Sequence, residues 1–505
     1  MDLNPGTSDF EKTYTDGRAQ VVWTTLVGDL DTPVSAYMKV VGADNLGFLM
    51  ESVEGGANRG RYSFVGCRPD LVWRATSNTA EINRIALTDP DAFQLCPVAA
   101  SEGTLKSLRT LLAESQITMP EQLPPMAAGL IGYLSYDSVR LVEKIPDNNP
   151  DVLNVPDGVF LRPTVIAIFD NASDIVFVVT PVYPRADVRA DQAFEEAQAR
   201  LARTINDFES ALPPQSMQDQ ALDLPEPVSN MAKSAFATMV EKAKDYILAG
   251  DIFQVVLSQR FKLPFSLPPF AFYRSLRRIN PSPFLFYLNF GGFQVAGSSP
   301  EILVRLRDGT VTIRPIAGTR PRGASPAEDR ALEEDLLADP KERAEHLMLL
   351  DLGRNDVGRV AKVGTVNVTD SYLIERYSHV MHIVSNVEGK LADGKDAIDA
   401  LYAGFPAGTT SGAPKVRAME IIDELEPEKR GIYAGCIGYF GADGEMDTCI
   451  ALRTAVIKDG WLYAQAGGGV VADSTAEGEY QESRNKAKAL IRAAEEAVRY
   501  ARRNN

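Results

Sequence analysis

The sequence predicts an α+β fold resting on antiparallel sheet, and three observations predict it. Runs rich in β-branched and aromatic residues recur along the chain, Asp-Gly pairs separate consecutive runs near the C-terminus, and a helical charge pattern follows them. At 505 residues and 45% hydrophobic composition the chain exceeds what one core organises, so two intimately packed lobes are expected.

Residues 1–185 mix loops with strand-like runs at 129–135, 165–169 and 175–182 and make an N-terminal lobe. Residues 186–231 connect it to the rest. There, 186–211 alternates charge and alanine in a helical pattern, and 212–229, rich in proline, glutamine and acidic residues, reads as a surface linker. Residues 232–505 carry nearly all the motifs with chemical content.

Asp339-Pro-Lys-Glu342 reads as a helix start, with Asp339 as N-cap, Pro340 first and Glu342 closing a capping box; Glu345 follows one turn later. The runs 432–440, 446–457 and 461–466 read as an antiparallel meander, divided by Ala442-Asp-Gly444 and Lys458-Asp-Gly460. The third run ends in Gly467-Gly-Gly469. A backbone so bare lets N–H groups approach a carboxylate or phosphate closely, and a bulge or tight bend is the plainer use of the same glycines. Ser474-Thr-Ala-Glu477 then reads as a capping box opening a helix to roughly Arg499, on which Glu479, Glu482 and Lys486 form one stripe at i, i+3 and i+7.

One such stripe alone is usually a solvated face. A second carboxylate pair, Glu342 and Glu345, on another helix changes the reading: two helices presenting acids can surround a hard divalent cation, and oxygen-only ligands favour Mg²⁺ over zinc. Without a cation, four carboxylates in one cleft would repel and shift their own protonation. Glu342 has a competing use as a cap.

Composition narrows the classes. A net charge of -16 argues against a nucleic-acid surface, and binding an acidic ligand on such a protein needs local cations. No apolar run reaches the ~20 residues that span a bilayer, and no basic region precedes an apolar one at the N-terminus. Cys67, Cys96, Cys436 and Cys449 show no Cys-x-x-Cys spacing and read as reduced core or strand residues; a cytoplasmic enzyme is expected.

Further motifs run through the chain: Leu49-Met-Glu-Ser52, Gly60-Arg-Tyr-Ser-Phe64, Gly250-Asp-Ile-Phe-Gln-Val-Val-Leu-Ser258, Asn280-Pro-Ser-Pro283, Ser299-Pro-Glu301, Arg314-Pro-Ile-Ala-Gly-Thr-Arg320, Glu345-His346, Asp351-Leu-Gly-Arg-Asn-Asp356, His379-Val-Met-His382 and Gly408-Thr-Thr-Ser-Gly-Ala-Pro-Lys415. In this order they resemble the component I, or large synthase subunit, family of anthranilate synthases among the chorismate-utilising enzymes. The resemblance implies two interleaved lobes on large antiparallel sheets packed face to face with helices outside. It makes 1–185 a lobe with tryptophan-binding regulatory elements and 232–505 the chorismate-binding catalytic domain.

It also implies amination of chorismate at C2 by ammonia, loss of the C4 hydroxyl and elimination of pyruvate to give anthranilate. The implied roles are Mg²⁺ on Glu345 and Glu482 with Glu342 and Glu479 close by, Glu301 as general acid, and His382 in the later steps with His379 as competitor. His346 would orient the metal site from behind. Arg453 and Lys486 would hold the enolpyruvyl carboxylate with the Gly467, Gly468 and Gly469 amides, and Tyr433 and Thr409 are further pocket positions. Lys415 can serve the site or cap carbonyls.

Gln254 stands where water-adding relatives carry a lysine base, and Ala317 where aminodeoxychorismate synthases carry a nucleophilic lysine, so both alternatives lack their reagent. The sister reaction to 4-amino-4-deoxychorismate and a silent tryptophan sensor remain the competing readings. Gly435-Cys-Ile-Gly438 looks like a glutaminase nucleophile turn but lacks a His-x-Glu downstream, so ammonia is expected from a separate glutaminase subunit. Feedback by tryptophan is implied through Glu51, Ser52, Arg61, Pro281, Ser282, Pro283, Phe284, Leu285 and Tyr439, with Leu285 departing from the methionine common in relatives.

Overall fold

The computed structural model describes residues 1–505 except 43–44, 55–57, 214–223, 378–379 and 504–505. His379 and part of the 212–229 linker therefore lie outside the described residues.

Two antiparallel sheets share one long pair of strands, Tyr62–Thr76 and Gly158–Asp170. The register of that pair shifts between Pro69 and Leu71, where Pro69 stands opposite Pro163. Neither proline can donate to the ladder, so the pair breaks there and each half serves a different sheet. On one side the ladder runs outward through Ile175–Val182 to Gln20–Val27. From the same place it also runs through Gly47–Glu51, Phe284–Asn289, Gln294–Ser299, Thr454–Lys458 and Trp461–Val470 to Gln254–Pro264. On the other side it runs through Gly129–Leu134, Cys436–Gly441, Met446–Ile450, Ile302–Arg307 and Thr310–Ile313 to Val380–Lys390, with Asn367–Arg376 at the edge. Each sheet thus mixes strands from both sides of the 186–231 connector.

Side-chain alternation sorts the layers. Along Phe284–Asn289, Leu285 and Tyr287 face one way with Phe10, Phe194, Phe272 and Leu490 from the outer helices. Phe286 and Leu288 face the other way, where they meet Ile131, Tyr133, Ile437 and Cys449 of the opposite sheet. A third cluster packs Trp73, Leu134, Phe160 and Val304 against helices that include Lys233–Ala249 and Lys415–Leu425. The result is a sandwich of two sheets with helices on both outer faces, the α+β architecture expected. Each buried aliphatic contributes roughly 1.5–3 kcal/mol, so the inter-sheet layer is a principal stabiliser.

The helix starts obey local chemistry, with two corrections. Asp339 caps Pro340–Gly358 by accepting from the amides of Lys341 and Glu342, but Glu342 does not return the bond, because the Asp339 amide is already held by Asp335 O. The last helix, Ala476–Arg503, is capped by Thr475, whose Oγ1 accepts from the Gly478 amide at 3.2 Å. Ser474, expected as the cap, donates instead to Glu479 Oε1 at 2.8 Å.

The meander expected over 432–466 is also corrected. Met446–Ile450 and Thr454–Lys458 are separate strands in different sheets, and the chain turns between them at Arg453, a non-glycine residue with φ 47°. The Asp459-Gly460 hairpin is present, both residues having positive φ as a tight two-residue turn requires. All four cysteines are free and buried, and burial pushes the Cys436 thiol up to about 12.

Candidate active site

Two crossings between the sheets lie side by side, and the site is built on them. Ser299-Pro300-Glu301 links Gln294–Ser299 in one sheet to Ile302–Arg307 in the other, and Ala451–Arg453 makes the return crossing. Backbone bonds bind the two together, from Ile450 N to Glu301 O at 3.0 Å and from Ser298 N to Arg453 O at 3.1 Å. The backbones of an acid, Glu301, and a cation, Arg453, are thereby held on neighbouring crossings.

Glu301 is 8% exposed. Its desolvation pushes the carboxyl up to about 8, opposed by Thr409 and by the charge of Lys486. Thr409 Oγ1 stands 3.1 and 3.2 Å from its two oxygens. Thr409 belongs to the short turn Gly408–Thr410, which leads into the strand pair between Gly412–Ala413 and Gln254–Val255. Arg453 has no carboxylate partner among the described residues; its guanidinium reaches Asn280 Oδ1 at 3.5 Å, and desolvation lowers its pKa.

His382 lies on Val380–Lys390 with Nδ1 2.8 Å from Gly318 O and 3.1 Å from Thr319 Oγ1. A carbonyl oxygen only accepts, so Nδ1 carries the proton and Nε2 keeps its lone pair. Desolvation lowers the ring's pKa and keeps it neutral. His346 does not take part as expected: it is fully buried, with Nε2 2.6 Å from Ser385 Oγ and its ring against Tyr372, and desolvation lowers it to about 4. Tyr377 was not anticipated. Its ring stands edge-on to His382, its hydroxyl donates to Glu375 Oε2 at 2.9 Å, and burial, with the charge of Glu375, raises the phenol's pKa. A lone tyrosine carries no spacing signal; its place just ahead of the two histidines was the available clue.

The three glycines lie inside Trp461–Val470 and pair with Val256, Leu257 and Ser258. Two of them make room for candidate site side chains. A Cβ on Gly468 would stand 2.3 Å from Glu479 Oε2, and one on Gly469 would stand 2.1 Å from Gln254 Nε2. Gln254 Oε1 and Glu479 Oε2 are both buried without a partner. Tyr433 is 7% exposed, and desolvation pushes its phenol up to about 12.

The four candidate metal ligands converge only partly. Glu345 is raised by desolvation and by the charges of Glu342 and Glu482, and Glu479 by desolvation and by Glu482. Lys486 Nζ bonds Glu482 Oε1 at 2.7 Å and Gly467 O at 3.1 Å, and Arg320 approaches Glu342 Oε1 at 3.6 Å. Among the described residues no three His, Cys, Asp or Glu form a ready-made cage. The mutual repulsion and the orphaned Glu479 oxygen, in a space kept open by Gly468, nonetheless fit a hard cation. Lys415 is committed elsewhere, 2.9 Å from Asp356 Oδ2 and bonded to Gly404 O.

Between the sheets opens a cavity of about 800 Å³. Glu51, Ser52, Arg61, Pro283, Phe284, Leu285 and Tyr439 line it, while Pro281 and Ser282 do not. Glu51 is tied down by Tyr273 Oη at 2.6 Å and by the Arg277 fork at 2.6 and 2.8 Å. Pro300, Ile302 and Tyr377 line the same cavity, so it reaches the neighbours of Glu301 and His382.

The family model described as chorismate binding enzyme matches residues 67–492. Anthranilate synthase component 1 of Cereibacter sphaeroides is 60% identical over 98% of this chain and 98% of its own length. The protein of the same name from Pseudomonas aeruginosa is 46% identical over 96% and 97%. The crystal structure of anthranilate synthase component I from Streptococcus pneumoniae TIGR4 superposes with a TM-score of 0.74 at 37% identity, covering 92% of this chain and 98% of that one. The chain thus belongs to the chorismate binding enzymes, on the branch of the anthranilate synthase component 1 proteins.

Proposed function

We propose that this enzyme, a lyase acting on chorismate, aminates its substrate at ring C2 with ammonia and releases water, pyruvate and anthranilate, the first committed step of tryptophan biosynthesis. The observation that carries the reading is Glu301, a buried carboxyl held protonated near neutrality on the crossing next to that of Arg453, which has no carboxylate partner among the described residues.

Arg453 receives a substrate carboxylate, since a planar guanidinium without an acidic partner favours a bidentate anion. Ammonia adds at C2, the ring double bonds shift, and the C4–O bond breaks as Glu301 delivers its proton to the departing hydroxyl, which leaves as water; the added nitrogen sheds its surplus proton to solvent, and Glu301 is reprotonated for the next turnover. His382 then accepts the C2 proton on Nε2; the C3–O bond breaks, the ring becomes aromatic, and enolpyruvate is protonated to pyruvate. Mg²⁺ on Glu345 and Glu482, with Glu342 and Glu479 beside them, would supply Lewis-acid polarisation of the ring carboxylate. Lys486, released from Glu482, and backbone amides of Gly467–Gly469 complete the anion site.

Ala317 presents no nucleophile, and Gln254 no base, which disfavours the 4-amino product and water addition. Buried Cys436 is unsuited to release ammonia from glutamine, and the names of the relatives as component 1 support a partner glutaminase. Tryptophan is proposed to bind the inter-sheet cavity and inhibit. The chain has no helix long and apolar enough to cross a membrane among the described residues, in keeping with a cytoplasmic enzyme.

The test is incubation of the purified chain with chorismate, Mg²⁺ and an ammonium salt, following pyruvate and the fluorescence of 2-aminobenzoate. Product with ammonium and none with glutamine is expected. Amine retained without pyruvate release would replace this reading with the sister reaction.

A further inference from the structure

Beneath the ligand-facing rim runs a set of buried polar groups that the chemistry above does not use. Arg430 is 1% exposed. It forks onto Glu426 at 3.0 and 2.6 Å and donates from Nη1 to Thr410 O and from Nη2 to Val256 O, each at 2.6 Å. Glu426 Oε1 accepts from the Ser258 amide and hydroxyl, both at 2.8 Å, and Ser258 stands opposite Gly467. The Arg430 guanidinium also lies over Tyr433, 5.6 Å from its ring centre. One ion pair therefore fastens the turn that carries Thr409 and the strand that carries Gln254, next to the glycine strand and under the pocket tyrosine.

Stability alone does not call for an ion pair here. Burying two charges is costly, and a well-packed apolar replacement is often neutral or better. What the pair contributes is direction, because each arm of the fork holds one carbonyl at a set angle. Thr410 O is one residue from Thr409, whose hydroxyl rests on both oxygens of Glu301.

We infer that Arg430, braced by Glu426, is a positioning residue that sets Thr409 against the Glu301 carboxyl and so orients the proton the acid delivers. The inference rests on the reading of Glu301 as that acid. Loss of the brace displaces the turn, and a shift of about 1 Å at such a group costs on the order of 100-fold in rate.

The experiment compares Glu426→Gln/Arg430→Met with the parent, places Thr409→Val in both backgrounds, and includes Glu301→Gln, all in the ammonium-dependent assay across the alkaline limb. The double variant is expected to lower kcat about 100-fold with KM for chorismate within about threefold. Thr409→Val is expected to cost about 100-fold in the parent, as much as the double variant does, and nothing further in the double variant. Both should move the alkaline limb upward, because the Thr409 bond that favours the ionised carboxyl is weakened. Additive losses, or kcat falling only in step with the folded fraction seen by calorimetry, would overturn the inference. If Glu301→Gln keeps the parental limb, the acid reading itself fails. If Glu301→Gln loses the limb while the double variant keeps it, the positioning role alone fails. Should the double variant not fold, Arg430→Lys keeps the charge without the fork and carries the same cycle.

Discussion

Thr409 and Glu301 are joined through one hydroxyl that lies 3.1 and 3.2 Å from the two carboxyl oxygens. The bond lowers the carboxyl's pKa, desolvation raises it further, and the net result keeps the carboxyl protonated up to about pH 8.

Activity is accordingly expected to fall as pH rises through about 8, since the acid must carry its proton. Glu301→Gln should lower kcat by about 10²–10⁴-fold and remove that limb, read from a pH–rate profile. Stability follows the same group. Its folded pKa lies above the usual 4.5, so its contribution is fully present below about 4.5 and is lost as pH rises through about 8. Glu301→Gln should therefore melt higher than the parent on the alkaline side, by up to about 5 kcal/mol of stability, and converge with it in acid.

Gly468 is bare because Glu479 occupies the space a side chain would take. Gly468→Ala is expected to displace the Glu479 carboxylate and raise the Mg²⁺ concentration needed for half-maximal rate at least tenfold, measured by titrating metal into chelator-treated enzyme. An unchanged metal requirement would remove Glu479 from the cation site.

Arg453 has no carboxylate partner among the described residues. Arg453→Gln should raise KM for chorismate by about 10–100-fold, the weight of a charged hydrogen bond, with a smaller effect on kcat. A variant with normal KM would assign the carboxylate elsewhere.

Glu51 lines the inter-sheet cavity while bound by Tyr273 and Arg277. Glu51→Gln weakens that anchor and is expected to raise the tryptophan concentration for half-inhibition at least tenfold, measured as the ratio of inhibited to uninhibited rate. Equal inhibition would place the effector outside this cavity.

Much of the molecule was legible residue by residue. Asp339 as a cap, the Asp459-Gly460 turn and the burial of the cysteines follow from short-range chemistry, and the ordered motifs identify the family. The misread elements fail for a physical reason too. Ser474 and Thr475 are both good caps, and only the nearby Glu479 draws Ser474 away, leaving Thr475 to cap the helix. The run 446–457 looks continuous because periodicity does not register a change of sheet at Arg453. Tyr377 had no pattern to mark it.

By itself the sequence determined which groups are available and which local turns and caps form, because those depend on neighbours a few residues apart. Only tertiary structure decided that Glu301 is buried enough to hold its proton, that Arg453 lacks a counter-charge among the described residues and that strands from both ends of the chain interleave. Desolvation and charge pairing are set by what packs around a group, and those neighbours come from segments over a hundred residues away, such as Thr409 against Glu301.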